Sequence, residues 1–364
     1  QLRQGGKSVV YASKFDLSKP IVYAISANTP KEYKEAVKQG ALYWNKSFGS
    51  EVVKVIDAPE GITAPDFNHN IIQWVNWKTA GFAYADAQMD PRTGEILHAQ
   101  IFLTSVFAFS SKKRARDLLN LIKNSALENH DHDHSHDHNH SHNHDKNDPQ
   151  AYVSQLVELM KESNPFHFNL KDFKKTAMCN FQPSQSMIAG LTELLATGED
   201  FSDETYLKIS QDYVREVVAH EVGHTLGLRH NFAGSLYTNF ELSEKKDLFL
   251  NYAQEGKSPA HIRTTSSVME YQNFEESVMT GDQLLTKEKP LDYDKMVIQS
   301  LYFGKTFEKS TIPPFCTDSH RAKYLDCKTF DSGKSIYKSS LWQEKREKEN
   351  LPFLLLKNYI KAKE

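Results

Sequence analysis

Several features are scarce in this chain, and each scarcity excludes something. There are three cysteines in 364 residues, too few for a scaffold stapled throughout by disulfides. Neither sign of charge dominates: 44 basic residues stand against 47 acidic ones, which leaves no electrostatic footprint for nucleic acid or an anionic membrane. No apolar run approaches the roughly 18 residues needed to span a bilayer as a helix. The chain starts at Gln1 with neither an initiator methionine nor a signal sequence, as expected of a processed mature form or a trimmed one, and it carries no cysteine-switch segment. What remains, 39% hydrophobic and 11% aromatic residues, suffices for a full core in one large domain or two subdomains.

The most informative stretch is His220-Glu221-Val222-Gly223-His224-Thr225-Leu226-Gly227-Leu228-Arg229-His230. On a helix, residues four apart share a face, so His220 and His224 can point at one ion. Glu221 sits beside them and reads as a general base acting on water whose pKa a zinc ion lowers toward about 7, not as a ligand. Gly227 can take the left-handed conformation that ends a helix and returns the chain, bringing His230 back as the third ligand. Val214, Val218, Val222 and Leu226 recur every four residues and give the same helix an apolar stripe. The spacing predicts a hydrolytic Zn2+ centre on a buried, rigid element.

The extended pattern resembles that of the metzincin zinc peptidases, whose second mark is a downstream turn containing methionine. Ser267-Val268-Met269-Glu270-Tyr271 fits that mark. The resemblance implies that Met269 forms an apolar floor beneath the imidazoles, and that Tyr271 stabilises the oxyanion formed during hydrolysis. His230-Asn231-Phe232, Asp90 to Ile96, and Cys316-Thr317-Asp318 with Cys327 narrow the resemblance to a bacterial group that includes the protease subunit of a cholera-like enterotoxin. The similarity runs from about Ile21 to about Gly333, with one insertion.

Cys316 and Cys327 enclose a short polar loop, while Cys179 stands far upstream. A disulfide between the first two is the preferred pairing over free thiols. It would contribute on the order of 3 kcal/mol and imply an oxidising compartment.

Before the zinc helix the pattern predicts a sheet. Ile21 to Ile25, Val52 to Ile56, Ile71 to Trp77 and Phe82 to Met89 read as strands. Thr29-Pro30-Lys31-Glu32 combines an N-cap, a first-turn proline and a capping-box glutamate, starting a helix whose buried face is Tyr33, Val37, Ala41, Trp44 and Phe48. Asp90 to Gly94 is a turn, and the strand from Glu95 to Phe102 follows it; its position resembles the metzincin edge strand that lines the cleft and can hold an extended peptide. His98 on that strand is expected to face solvent, with a position in the cleft as the alternative.

Eight of the sixteen histidines alternate with Asp, Asn or Ser between His130 and His144. So polar a segment has nothing to bury and reads as a mobile insertion over residues 126–147, bounded by a helix ending near Lys123 and another starting at Asp148, and suited either to loose metal capture or to solvation alone. Met187, Ile188, Leu191, Leu194 and Leu195, like Val153, Leu156, Val157 and Met160, have the spacing of core-facing helical stripes. The run from Leu341 to Lys363 is expected to be a terminal helix packed on its own domain, with docking to a partner subunit as the alternative.

These observations predict an α+β, metzincin-like fold: an N-terminal mixed twisted sheet with helices and a central zinc helix in residues 1–228, then an irregular C-terminal subdomain in residues 229–364 with the third ligand, the Met-turn and the cysteine loop. The expected activity is that of a secreted or periplasmic zinc endopeptidase acting on polypeptides, with His220, His224 and His230 as ligands and Glu221 and Tyr271 as catalytic groups. The rival readings are a partner-delivered toxin-type protease subunit and a zinc-buffering protein.

Overall fold

Runs of β-branched and aromatic residues near the N-terminus pair into one five-stranded sheet. The computed structural model describes residues 2–4, 7–9, 12–76, 83–118 and 184–345. A short antiparallel pair, β1 (Leu2–Gln4) and β2 (Lys7–Val9), precedes the sheet. The sheet itself comprises β3 (Ile21–Ile25), β4 (Val53–Asp57), β5 (Asn70–Val75), β6 (Ala83–Met89) and β7 (Ile96–Thr104), in the spatial order β4-β3-β5-β7-β6. β3 runs parallel to β4 and β5, and β7 parallel to β5; β6 alone is antiparallel, with Ala83 opposite Leu103.

This order corrects the expectation for the strand beginning at Glu95. β7 lies inside the sheet, and among the described residues the edge beside it is β6. The turn from Asp90 to Gly94 makes the two strands a hairpin: the Gly94 N–H donates to the Asp90 carbonyl at 2.8 Å, and Asp90 Oδ1 accepts from the Arg92 N–H at 2.8 Å. The near-continuous burial of β7 suits a strand covered on both faces, whereas β6 alternates and ends exposed at Gln88 and Met89. His98 is accordingly buried and does not face solvent. Its neighbours Ala99 and Ile101 join the main core, while Phe102 joins a separate cluster with Ala64 and Ile71. Side chains alternate between faces, so His98 shares the Phe102 face, close to the Phe67 ring and away from the main core.

Helix α1 (Lys31–Leu42) starts where expected, and Tyr33, Val37, Ala41, Trp44 and Phe48 are all buried along it and the following α2 (Trp44–Phe48). The expected cap does not form. Pro30 occupies the capping position without a side-chain bond, and the Thr29 hydroxyl pairs with that of Ser26 at 3.1 Å instead. In α3 (Ser184–Ala196), Met187, Leu191 and Leu194 face the core, and Leu195 packs on it. The expected stripe from Val153 to Met160, the flanking helix boundaries, the segment from His130 to His144 and the chain beyond residue 345 lie outside the described residues.

Helix α4 (Asp203–Thr225) is the axis of the fold. Ser202 caps it by accepting from the Thr205 N–H at 3.2 Å. Its expected apolar stripe, Val214, Val218, Val222 and Leu226, is fully buried, but so is nearly every residue of its second half. It packs against α1, β6, β7 and α6 (Phe274–Thr286), with α5 (Lys245–Glu255) and α7 (Asp292–Phe303) completing the C-terminal helices. One continuous core joins Val214 and Val222 with Val268, Met279 and Ile298, and so draws on the chain both before and after residue 228. Among the described residues, no helix is long and apolar enough to cross a membrane.

A helix buried on all sides brings polar groups inside, and several of these are matched. Asp212 accepts from Arg215, from Tyr252 and from Lys208, whose Nζ lies 2.7 Å away. Lys245, at the start of α5, pairs with Glu275 of α6 at 3.3 Å, and Glu276 of α6 accepts from the Ser332 hydroxyl at 2.7 Å. Burial pushes the Glu276 carboxyl up to about 7, with the Lys245 charge acting against the shift. Below the ordinary glutamate range this carboxyl is protonated in both folded and unfolded chains. Between that range and about pH 7 only the native state keeps the proton, so its contribution to stability is lost as pH rises through 7. Glu276→Gln imitates the protonated form. Its stability relative to wild type should therefore increase between pH 5 and pH 8 by on the order of 1–3 kcal/mol in urea unfolding, and a pH-independent difference would refute the assignment.

Candidate metal centre

Helix geometry alone sets His220 and His224 on one face of α4. The helix ends at Leu226, and Gly227 follows with φ of 94°, in the left-handed region. A side chain there would also collide with the Ser13 carbonyl, so both backbone conformation and space call for glycine. The chain then doubles back: the Leu228 N–H donates to the Gly223 carbonyl at 3.1 Å, and His230 comes round to face the other two imidazoles.

The three rings meet at Nε2. His224 Nε2 lies 3.1 Å from Nε2 of His220 and 3.1 Å from Nε2 of His230. A zinc ion with Zn–N bonds of about 2.0–2.1 Å would hold such atoms about 3.3 Å apart. The opposite edge of each ring settles the tautomers. His220 Nδ1 donates to the Val268 carbonyl at 2.6 Å, His224 Nδ1 to the Leu228 carbonyl at 2.9 Å, and His230 Nδ1 to the Asp318 carboxylate at 3.0 and 3.2 Å. Carbonyls and carboxylates only accept, so the protons sit on Nδ1 and the Nε2 lone pairs point at one another. Burial, with the neighbouring imidazoles, pushes His220 down to about 3 and His224 well below its ordinary value, so both rings are neutral at ordinary pH. Three buried imidazoles with their Nε2 atoms aimed at one point fit a divalent metal.

Glu221 lies fully buried on the same turn. Met269 is equally buried and packs against α4 between the two helical histidines: a side chain at Gly223 would run into its sulfur and into Trp44. The turn carrying Met269 is tied to the ligands on two sides, since the Val268 carbonyl accepts from His220 and the Met269 carbonyl accepts from the Asn231 N–H at 2.9 Å. The Tyr271 ring stands over the site, its centroid 4.6 Å from that of His230 and 5.4 Å from that of His220. His98 belongs to the other face of the sheet and does not join this group.

Cys316 and Cys327 form a disulfide, with Cα atoms 5.8 Å apart, packed on Phe232 and Ala233 just after the third histidine. Cys179 lies outside the described residues.

Several residues of the site escaped the sequence reading. Asp294, on α7, accepts from the Ser267 hydroxyl, the Val268 N–H and the Tyr43 hydroxyl, and so fixes the Met-turn from below. Asp318 was visible only as part of a resemblance, with no sign that it reaches His230. Gly223 sits inside the histidine pattern and Asn231 just after it, but their roles depend on segments that arrive from elsewhere in the chain. No local signal marks any of the four.

A protein-family model described as Met-zincin matches residues 202–312, from the cap of α4 through the Met-turn to the segment before Cys316. This is less than a third of the chain, but it contains the three histidines, Glu221 and Met269. Among curated proteins and solved structures nothing matches. The match supports a metzincin-type family, and the mixed α+β architecture, with its histidine triad on a central helix, is consistent with the Met-zincin fold. With the triad, it implies a zinc-binding protein of the metalloprotease class.

Gly223→Ala tests the contact beneath the site. It should destabilise the chain by about 1–3 kcal/mol through overpacking against Met269. Combined with Met269→Ala it should cost clearly less than the sum of the two single changes, because the second removes the obstacle to the first. Strict additivity in urea unfolding would contradict the contact.

Proposed function

We propose that this chain is a secreted or periplasmic zinc-dependent endopeptidase that cleaves extended polypeptides, with His220, His224 and His230 as the metal ligands. The observation that carries this reading is the convergence of three Nδ1-anchored imidazoles beside a buried glutamate and above a buried methionine. A zinc ion bound there supplies Lewis acidity, which activates water and polarises a carbonyl. Glu221 takes the proton from the attacking water and delivers it to the departing amine. The Tyr271 hydroxyl donates to the oxyanion that develops on the scissile carbonyl, a role suggested by the family resemblance and supported by the position of its ring over His220 and His230. Met269 contributes packing only.

Substrate binding falls to β6. Among the described residues it is the edge strand packed against α4, and an extended peptide could pair along its outer side with little demand on side-chain identity. The cleft lies between an N-terminal part, residues 1–228, and a C-terminal part, residues 229–364. The disulfide suits an oxidising compartment. The narrower kinship, with the bacterial group that includes an enterotoxin protease subunit, remains part of this proposal, resting on the segments around Asn231 and Cys316.

The test is cleavage of unfolded casein by the zinc-loaded chain. Glu221→Ala should lower kcat/KM by at least about 100-fold while one zinc equivalent is retained, and chelation should abolish cleavage until zinc is restored. A wild-type chain that binds one zinc tightly and cuts nothing would exclude a general endopeptidase. Uptake of many equivalents, lost on deleting residues 130–144, would favour metal buffering.

A further inference from the structure

The three imidazoles are not anchored alike. His220 and His224 project from a long helix, and each has its Nδ1 fixed by a main-chain carbonyl, Val268 or Leu228. His230 projects from irregular backbone after the helix, and the torsion that turns its ring, broad in any histidine, sets no orientation by itself. Its Nδ1 meets a side chain 88 positions away, the Asp318 carboxylate. Phe232, at 4.9 Å between ring centroids, and Tyr271, at 4.6 Å, confine the faces of the ring, and Asp318 holds its Nδ1 edge.

Asp318 is itself 47% exposed, so water alone would leave it free to rotate. The loop around it removes that freedom. The Thr317 hydroxyl donates to Asp318 Oδ2 at 3.2 Å, and Asp318 opens a single 3-10 turn, Asp318–His320. The Cys316 carbonyl accepts from the Phe232 N–H at 2.8 Å, the Asn231 side chain accepts from the Cys316 N–H and donates to the Pro314 carbonyl, and the disulfide closes the loop at Cys327. Residues 230–233 thus carry the third histidine and also anchor the loop that carries its partner. The constraint forms a closed ring: His230 to Asp318, Asp318 to Cys316, and Cys316 back through Asn231 and Phe232.

We infer that Asp318 is the positioning residue for His230, and that the loop closed by Cys316 and Cys327 sets the affinity of the centre by holding that carboxylate in place. This rests on reading the triad as a zinc site. Removing an outer partner of a metal-bound imidazole typically weakens metal binding by about 10–100-fold, because the ring must then be oriented at the expense of binding.

The experiment measures zinc affinity by chelator competition, the absorption spectrum of the cobalt-substituted chain, and the melting temperature without metal. Asp318→Ala should lose about 10–100-fold in zinc affinity, and Asp318→Asn less, because its amide oxygen can still accept from Nδ1. Both should alter the cobalt spectrum and leave melting without metal unchanged. Leu325→Ala, at a position 90% exposed on the same loop, should change neither affinity nor spectrum. Opening the loop with Cys316→Ser and Cys327→Ser should also weaken zinc, and adding Asp318→Ala to that variant should cost little more, since both act through one ring of contacts. Wild-type affinity and spectrum in Asp318→Ala would overturn the inference, as would a fall in metal-free stability that accounts for the whole effect. A wild-type chain with no zinc affinity would overturn the reading of the triad, and this inference with it.

Discussion

Three Nε2 atoms gathered at one point are the constraint on which the rest of this structure depends. Imidazoles whose Nε2 atoms face one another gain nothing from the contact, so their convergence must be imposed from outside. Three different parts of the chain impose it through the Nδ1 atoms: the end of α4 itself at Leu228, the Met-turn at Val268, and the disulfide loop at Asp318. Each anchor has its own support. The Met-turn hangs from Asp294, which burial pushes up to about 7 even though three donors favour its charged form. The disulfide loop is clamped to Asn231 and Phe232. The site is thus pre-shaped by hydrogen bonds that a bound metal ion would not have to create.

The same arrangement explains why the interior is so polar. A helix that presents ligands on one face and must be held from several directions is buried all round, and its polar residues go with it. Asp212 and Arg215 pair on α4 near α6, and Glu216, pushed well above the ordinary carboxylate range by burial, is bonded to Ser277 and Gln272. Such groups add little net stability, but each is costly to leave unmatched. They therefore favour one register of α6 against α4, and that register places the Met-turn beneath the ligands.

Much of this was legible beforehand, and where the reading failed the reason is physical. The histidine spacing, the break at Gly227 and the buried face of α1 and α2 follow from local geometry, because each needs only neighbouring residues to be judged; the methionine turn was read through the family resemblance, and the cysteine pairing was a preference from closeness in sequence. The strand after Asp90-Pro91-Arg92-Thr93-Gly94 was misplaced to the edge, although its nearly unbroken run Ile101-Phe102-Leu103 carries the mark of a strand covered on both faces. His98 was assigned to solvent for the same reason. Thr29 fits the pattern of a cap, yet the sheet brings Ser26 within reach of its hydroxyl and the local competition goes the other way.

The sequence by itself determined the chemistry of the centre. Two histidines four apart on a helix, a glutamate beside them and a glycine that lets a third histidine return are fixed by a helical period of 3.6 residues and need no partner from elsewhere. Only the tertiary structure decided what holds that chemistry in place. Which strand is the edge, which carboxylate braces His230, why position 223 must be glycine and why Asp294 lies beneath the Met-turn depend on segments up to 251 residues apart in the chain. Contacts of that kind are selected by packing the whole core at once, and no local periodicity encodes them.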